Sequence, residues 1–220
     1  NVWLPEDYII KCSQEVDLNK FAGMDCYVGV DLAATSDLTA VAYLVVQDGT
    51  YHFKTHYYLP ESALKDKADK ELYKYWKHQG YLTVTSGNVT DYDYITTDML
   101  RYADVVNIQS VGYDKYNATQ WAIDSTEQGL PLEEYPQTLG NFNMPTRELE
   151  RLILSGKAVI DNNEINRYCF RNVTLKSDYN GNVKPNKAVD KKKIDGTIAM
   201  IQALGMYLRT PHYTNEILTI

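Results

Sequence analysis

Three aspartates stand where predicted strands end or a predicted helix begins. Asp31 and Asp114 each close an apolar stretch of strand-forming residues, and Asp195 opens an apolar helical stretch. In an open α/β sheet, strand ends and helix starts meet along one edge, where sites are usually built. The three carboxylates are therefore candidates for one common site.

Three carboxylates at one place repel each other, because like charges at short range disfavour joint ionisation. A cation between them removes that cost, and several hard oxygen ligands suit Mg²⁺ or Mn²⁺. Two such ions about 3.5–4 Å apart would stabilise the attacking and leaving oxygens of a phosphodiester displacement. Asp31, Asp114 and Asp195 are thus predicted as metal ligands and catalytic residues. Taken singly, each could instead be a turn former or a helix cap, as Asp195 would be at a helix start.

Two further residues are accessory candidates. Asp37 lies in the turn after Asp31, where it could support the site or close the hairpin as an Asx turn. Lys192 belongs to a run of three lysines just before Asp195. Such a run is typical of a solvated surface, but a lysine beside the acids could contact phosphate. The four histidines are interpreted as surface or strand residues.

Composition limits the class of protein. The chain has 220 residues, of which 44% are hydrophobic, enough for one sizeable core. A net charge of −7 argues against a stand-alone DNA binder, although not against a nuclease that another domain delivers to DNA. Three cysteines without CxxC spacing favour a reducing cytoplasm over a disulfide framework. No apolar run approaches the ~20 residues that would span a bilayer.

The order of elements predicts an α/β fold with a mixed central sheet. Three strands with short connections, over residues 24–59, form an antiparallel meander. Helices and strands then alternate, with predicted helices over 61–80, 90–107, 117–129 and 146–156, and Thr90 and Asp93 in capping-box spacing. A hairpin turns at Asn180-Gly181, and an apolar helix that starts near Asp195 closes the fold. Residues 1–24 are predicted to be a lead-in or linker.

With these residues in hand, the chain resembles the nuclease domain of large terminase subunits from tailed bacteriophages. The resemblance runs from about Tyr27 to Tyr207. It rests on the stretches GVDLAATSDLTAVAYL, VGYDKYNATQWA, MPTRELERLILSGKAVI, NVTLKSDYNGNVKPNK and KIDGTIAMIQAL, in that order. The segment VIDNNEINRYCFRN departs from the family pattern, so no role is carried over to it.

The resemblance implies a ribonuclease H-like fold over residues 25–210 and a tail over 211–220. It implies an endonuclease that uses two divalent ions, Mg²⁺ or Mn²⁺, to cut concatemeric viral double-stranded DNA during genome packaging. Asp31, Asp114 and Asp195 match the family's acids, and Asp37 matches an acid of the first hairpin. The implied partners are DNA, an ATPase domain in the same polypeptide, a small terminase subunit and the portal, in the host cytoplasm. The 220 residues contain no GxxxxGK[ST] loop, so the ATPase domain would precede them, and residues 1–24 would lead in from it.

Three alternatives stay open at this point. A ribonuclease H-like resolvase or transposase would share the acids but not the GNVKPNK…KIDG block. An ATP-binding domain like those of actin and sugar kinases also opens with an acid-bearing strand. Its turn, however, would need a glycine for close approach to phosphate, which DLAATSDLT lacks. The third alternative is a non-enzymatic module that docks on the portal.

Overall fold

The computed structural model describes residues 2–65, 68–116 and 118–212. Within these ranges, seven strands form one mixed sheet in the order β4-β3-β2-β1-β5-β6, and β7 also pairs with β3. The strands are β1 Asp25–Asp31, β2 Thr39–Gln47, β3 Thr50–Pro60, β4 Thr83–Thr85, β5 Asn107–Tyr113, β6 Leu132–Glu134 and β7 Ala158–Ile160. A separate hairpin consists of β8 Val173–Ser177 and β9 Val183–Lys187.

The centre of the sheet explains where its acids meet. Strand β1 runs antiparallel to β2, with Asp31 opposite Ala40, and parallel to β5, with Val30 opposite Tyr113. The carboxyl ends of β1 and β5 therefore lie side by side. This is the mixed α/β sheet that the order of elements predicted, with the antiparallel meander formed by β1, β2 and β3.

Helices cover both faces of the sheet. They are α1 Glu6–Cys12, α2 Lys70–His78, α3 Tyr92–Ala103, α4 Thr119–Glu127, α5 Leu139–Leu154, α6 Glu164–Arg171 and α7 Asp195–Arg209. One core cluster joins the sheet to α7, α5 and α6 and includes Phe53 and Leu204. The other joins the opposite face to α3 and α4 and includes Tyr43 and Met99.

Helix α7 packs directly on β1 and β2. Its backbone approaches β1 so closely that a Cβ on Gly29 would lie against the Ala199 carbonyl oxygen and 2.5 Å from the Ala203 nitrogen. Only a residue without a side chain permits this approach. Because Asp31 follows Gly29 by two residues, the same contact sets how far the start of α7 lies from the end of β1.

The predicted lead-in, residues 1–24, requires a correction over its described part. Leu4 and Ile9 are buried in the main core, and the Val16 N–H donates to Asp161 Oδ1 at 3.1 Å. Residues 2–24 therefore pack as part of the domain instead of forming a linker. At the other end, His212 stacks on Tyr207 with ring centroids 4.0 Å apart, and residues 213–220 of the predicted tail lie outside the described ranges.

Several predicted helix boundaries differ in the structure. The predicted helix over 61–80 is a 3-10 turn, Glu61–Lys65, followed by α2, and α5 begins at Leu139, well before the predicted start. Helix α3 is capped by Asp91 and not by Thr90. The Asp91 carboxylate accepts from the N–H groups of Asp93 and Tyr94, and a charged oxygen is the stronger acceptor there. Among the described helices, none is long and apolar enough to cross a membrane.

Candidate metal centre

Asp31 ends β1 and is half-buried at the edge of the sheet. The loop that follows, residues 32–38, is held at its base by Thr39. The hydroxyl of Thr39 accepts from the Ala33 N–H at 2.9 Å and donates to the Ala33 carbonyl at 3.0 Å. The Thr90 N–H donates to the Ala34 carbonyl at 2.9 Å. These bonds give the backbone beside Asp31 a defined path.

Asp114 follows β5 immediately, on the strand that runs parallel to β1. Its Oδ1 accepts from the Tyr116 N–H at 3.1 Å, and the side chain is half-buried. One oxygen of this carboxylate is thus held by local backbone, as in an Asx turn. Asp114 therefore lies at the same edge of the sheet as Asp31.

Asp195 is the first residue of α7, and only 7% of it is exposed. Its Oδ2 atom is buried and has no hydrogen-bond partner within the described ranges. A buried carboxylate oxygen without a partner is costly, because it has lost its water and gained nothing in exchange. The position therefore calls for a cation or a proton.

The electrostatics show that the predicted acids act on one another. The pKa of Asp31 is raised well above its ordinary value by burial and by the negative charges of Asp195, Asp114 and Asp37. Burial, with the charge of Asp37, raises the pKa of Asp195 to about 6. The structure thus brings Asp31, Asp114, Asp195 and Asp37 to one region, as expected for carboxylates that crowd one edge.

Asp37 is bound to a lysine other than the predicted one. The Lys193 ammonium forms a short ion pair with Asp37 Oδ1, and it donates to the Ser36 carbonyl at 3.3 Å. Burial acts to raise the pKa of Asp37, but the hydrogen bond and charge of Lys193, with the charge of Lys187, outweigh it and lower that pKa. Lys192 is exposed instead, and its ammonium lies 5.9 Å from the centre of the Tyr168 ring.

Two lysines of the β8–β9 hairpin also border the acids, and sequence reasoning missed both. The charge of Lys187 acts to lower the pKa of Asp31 and of Asp195. Burial lowers the pKa of Lys184, against the opposing charges of Asp114 and Asp31, and its ammonium donates to the Gln137 carbonyl at 2.6 Å. The only signal in the sequence is the spacing of lysines in VKPNK, which by itself looks like a solvated strand.

The donor set fits a hard divalent cation. It consists of carboxylate oxygens, and the buried Oδ2 of Asp195 has no partner in the described part of the chain. Within residues 2–65, 68–116 and 118–212, however, no three histidine, cysteine, aspartate or glutamate side chains already converge on one point. Chemistry and burial at this edge therefore suit Mg²⁺ or Mn²⁺, and the carboxylates of Asp31, Asp114 and Asp195 would have to move closer together to share an ion.

The raised pKa of Asp195 predicts a pH dependence of stability. Between its ordinary pKa of 3.8 and about 6, the unfolded chain loses this proton while the folded protein keeps it. Protonated Asp195 therefore makes its full contribution to the stability of the folded protein below about pH 4, and this contribution is lost as the pH rises through 6. In EDTA, the free energy of unfolding of the wild type should fall on the order of 2 kcal/mol more than that of Asp195→Asn between pH 4 and 7. Urea titrations at both pH values measure this, and parallel pH profiles for the two proteins would contradict it.

The chain is similar to known proteins over almost its whole length. Residues 2–210 match the sequence model of a family described as terminase large subunit, endonuclease domain. Protein YmfN of Escherichia coli K12 is 31% identical over 210 residues, which cover 87% of this chain and 45% of that protein. The terminase large subunit of Enterobacteria phage HK97 is 28% identical over 184 residues, which cover 81% of this chain and 36% of that protein. The chain thus spans less than half the length of these two relatives.

Solved structures show the same likeness. The crystal structure of the HK97 large terminase superposes with a TM-score of 0.83 at 25% identity, over 93% of this chain and 43% of that one. The large terminase nuclease of thermophilic phage G20c, solved with bound magnesium, gives a TM-score of 0.54 at 12% identity, over 82% of this chain and 80% of that one. The same nuclease has been solved with bound cobalt, with a TM-score of 0.53. These nucleases share the ribonuclease H-like fold described above.

Proposed function

The chain belongs to the family of terminase large subunit endonuclease domains, and from this premise we propose that it cleaves double-stranded DNA by metal-dependent phosphodiester hydrolysis. The observation that carries the proposal is Asp195. It is buried at the start of α7 with a carboxylate oxygen that has no partner in the described ranges, and burial together with the charges of Asp195 and Asp114 raises the pKa of the nearby Asp31. The structures of the G20c nuclease with magnesium and with cobalt support a divalent ion.

We assign the metal-holding role to Asp31, Asp114 and Asp195. Bound divalent ions, two in this proposal, would lower the pKa of the attacking water and neutralise charge on the scissile phosphate and the leaving 3′ oxygen. The protein's own part is to hold these carboxylates at one edge of a rigid sheet. The Thr39–Ala33 hydrogen bonds support the backbone beside Asp31, and the close packing of α7 on β1 supports Asp195.

Lysines of the hairpin complement the acids. Lys184 and Lys187 add positive charge beside a strongly acidic site, and DNA phosphate must approach that site against its negative field. Fixed positive charges at the border lower this electrostatic barrier. We propose that the β8–β9 hairpin faces the DNA backbone as it enters the site.

The wider assembly is also a proposal. The net charge of −7 disfavours tight binding of DNA by this domain alone, and the matched relatives are more than twice as long as the chain. We propose that an ATPase domain of the same polypeptide, a small terminase subunit and the portal present concatemeric viral DNA to the site during packaging, in the host cytoplasm.

Plasmid cleavage tests the proposed function. The purified chain should convert supercoiled plasmid to nicked and linear forms in Mg²⁺ or Mn²⁺, and EDTA should stop the conversion because the proposed mechanism uses bound ions to activate the attacking water. A synthetic four-way junction and a linear duplex of matched sequence form the second arm. No cleavage in either metal would overturn the proposal, and cleavage confined to the junction would assign a resolvase activity instead.

A further inference from the structure

An ion pair links the loop after β1 to the segment that leads into α7. Lys193 is 9% exposed, and its ammonium contacts both Asp37 Oδ1 and the Ser36 carbonyl. We propose that Lys193 and Asp37 are positioning residues, which hold the Asp31 loop against the start of α7 and so keep Asp31 and Asp195 together for ion binding. The proposal rests on the metal-dependent function above.

The burial of Lys193 separates this pair from an ordinary surface ion pair. An exposed pair contributes little, since water and salt screen both charges. Here 11% of the lysine side chain is exposed, against 44% of the aspartate side chain. A buried ammonium requires a partner, and removing that partner leaves its charge uncompensated. Removing the Asp37 carboxylate is therefore costly, because it leaves the charge of the buried Lys193 without its counter-charge.

Asp37 and Lys193 each lie a few residues from a predicted metal ligand, so their ion pair can affect the positions of both ligands. Asp37 lies six residues after Asp31, in a loop that Thr39 and Thr90 hold at its base and at Ala34. Lys193 lies two residues before Asp195, where α7 begins. The ion pair joins the outer part of the loop directly to the start of the helix. Opening it would remove the direct contact between the outer part of this loop and the start of α7.

Another role for Asp37 predicts a different outcome. If Asp37 were itself a metal ligand, Lys193 would compete with the ion for its carboxylate. Lys193→Ala would then free Asp37, and Mn²⁺ would bind more tightly. If the pair positions the site, Lys193→Ala and Asp37→Ala should both weaken Mn²⁺ binding. The direction of the Lys193→Ala effect therefore separates the two roles.

Mn²⁺ binding measured by calorimetry provides a readout that does not require DNA cleavage. The set comprises Asp37→Ala, Lys193→Ala, the double variant and Lys193→Arg, with Lys191→Ala as a matched control, since Lys191 is an exposed lysine two residues away. Hydrogen exchange of the backbone amides in residues 32–38, measured in EDTA, reports directly on the loop. Thermal unfolding verifies that each variant is folded.

We expect each single alanine variant to weaken Mn²⁺ binding about 10–100-fold, the usual effect of losing a group that orients a metal ligand. The double variant should bind Mn²⁺ about as tightly as the single variant with the lower affinity, because both changes remove the same contact. Lys193→Arg should retain most of the affinity, Lys191→Ala all of it, and loop amides should exchange faster only in the alanine variants of the pair.

Three results would overturn the proposal: unchanged or tighter Mn²⁺ binding in Lys193→Ala, additive losses in the double variant, or unchanged exchange of the loop amides. Failure of the proposed function itself looks different. In that case the wild type would bind Mn²⁺ without cleaving plasmid, which leaves the comparison of variants intact. A wild type that bound no Mn²⁺ would remove both proposals.

Discussion

Asp31→Asn is expected to reduce the rate of plasmid cleavage by about a thousand-fold or more, equivalent to about 4 kcal/mol of transition-state stabilisation. Asp31 is the acid that feels the most neighbouring carboxylates, since the charges of Asp195, Asp114 and Asp37 all act to raise its pKa. An amide keeps the volume of the side chain but removes the negative charge that an ion would bind. Asp114→Asn and Asp195→Asn are expected to lose activity for the same reason.

The measurement is single-turnover nicking of supercoiled plasmid in Mn²⁺, alongside the rise in melting temperature that Mn²⁺ causes in the wild type. Both should disappear in Asp31→Asn, whereas its melting temperature in EDTA should not fall, because a repelled charge has been removed. Asp48→Asn is the matched control. Asp48 is exposed in the β2–β3 turn at a φ of 51°, which asparagine also tolerates. Full activity in Asp31→Asn would refute the assignment of this acid.

Gly29→Ala is expected to destabilise the domain by about 3 kcal/mol or more, since overpacking of a core costs about 1–3 kcal/mol even where side chains yield. The added Cβ would press on the Ala199 carbonyl oxygen and on the Ala203 nitrogen, both of them backbone atoms of α7. Backbone cannot rotate away as a side chain can, so the helix must move off the sheet. Because α7 carries Asp195, Mn²⁺ binding should weaken as well.

Urea unfolding followed by circular dichroism measures the effect, with Gly140→Ala as the control. Gly140 lies in the first turn of α5, and a Cβ added there would meet no atom closer than Thr138 Oγ1, 4.0 Å away, within the described ranges. Alanine there should be neutral or slightly stabilising, because it favours a helix more than glycine does. Equal stability of the two variants would show that α7 can shift at no cost, and would remove the packing argument.

Local sequence pattern was sufficient for most of the fold. The strands β1, β2 and β3 are runs of β-branched and aromatic residues between short turns, and the apolar stretch after Asp195 forms α7 as predicted. Family membership confirms the ribonuclease H-like assignment and disfavours the ATP-binding alternative. The three acids could be predicted as site candidates because each ends a strand, directly follows a strand or opens a helix. The order of elements alone brings such positions to one edge of the sheet.

Other features depended on contacts between distant segments. Helix α6 escaped prediction because its buried Asn166 breaks the apolar periodicity. That asparagine accepts hydrogen bonds from Thr55 and Tyr57 of β3, which compensate its burial. Residues 2–24 look like a mixed linker, yet their scattered apolar side chains fill the core beside β7 and α6.

The lysine that pairs with Asp37 is the clearest feature that the tertiary structure decided. Lys191, Lys192 and Lys193 are alike in a local pattern, which indicated a solvated run. Lys193 alone of the three is buried, because the packing of α7 on β1 sets the direction in which the chain enters the helix and turns this side chain toward Asp37. Residue type and position along an element thus determined which acids could form a site. Only the packing of helix on sheet decided which basic residue joins them, since that depends on the orientation of two segments 156 residues apart.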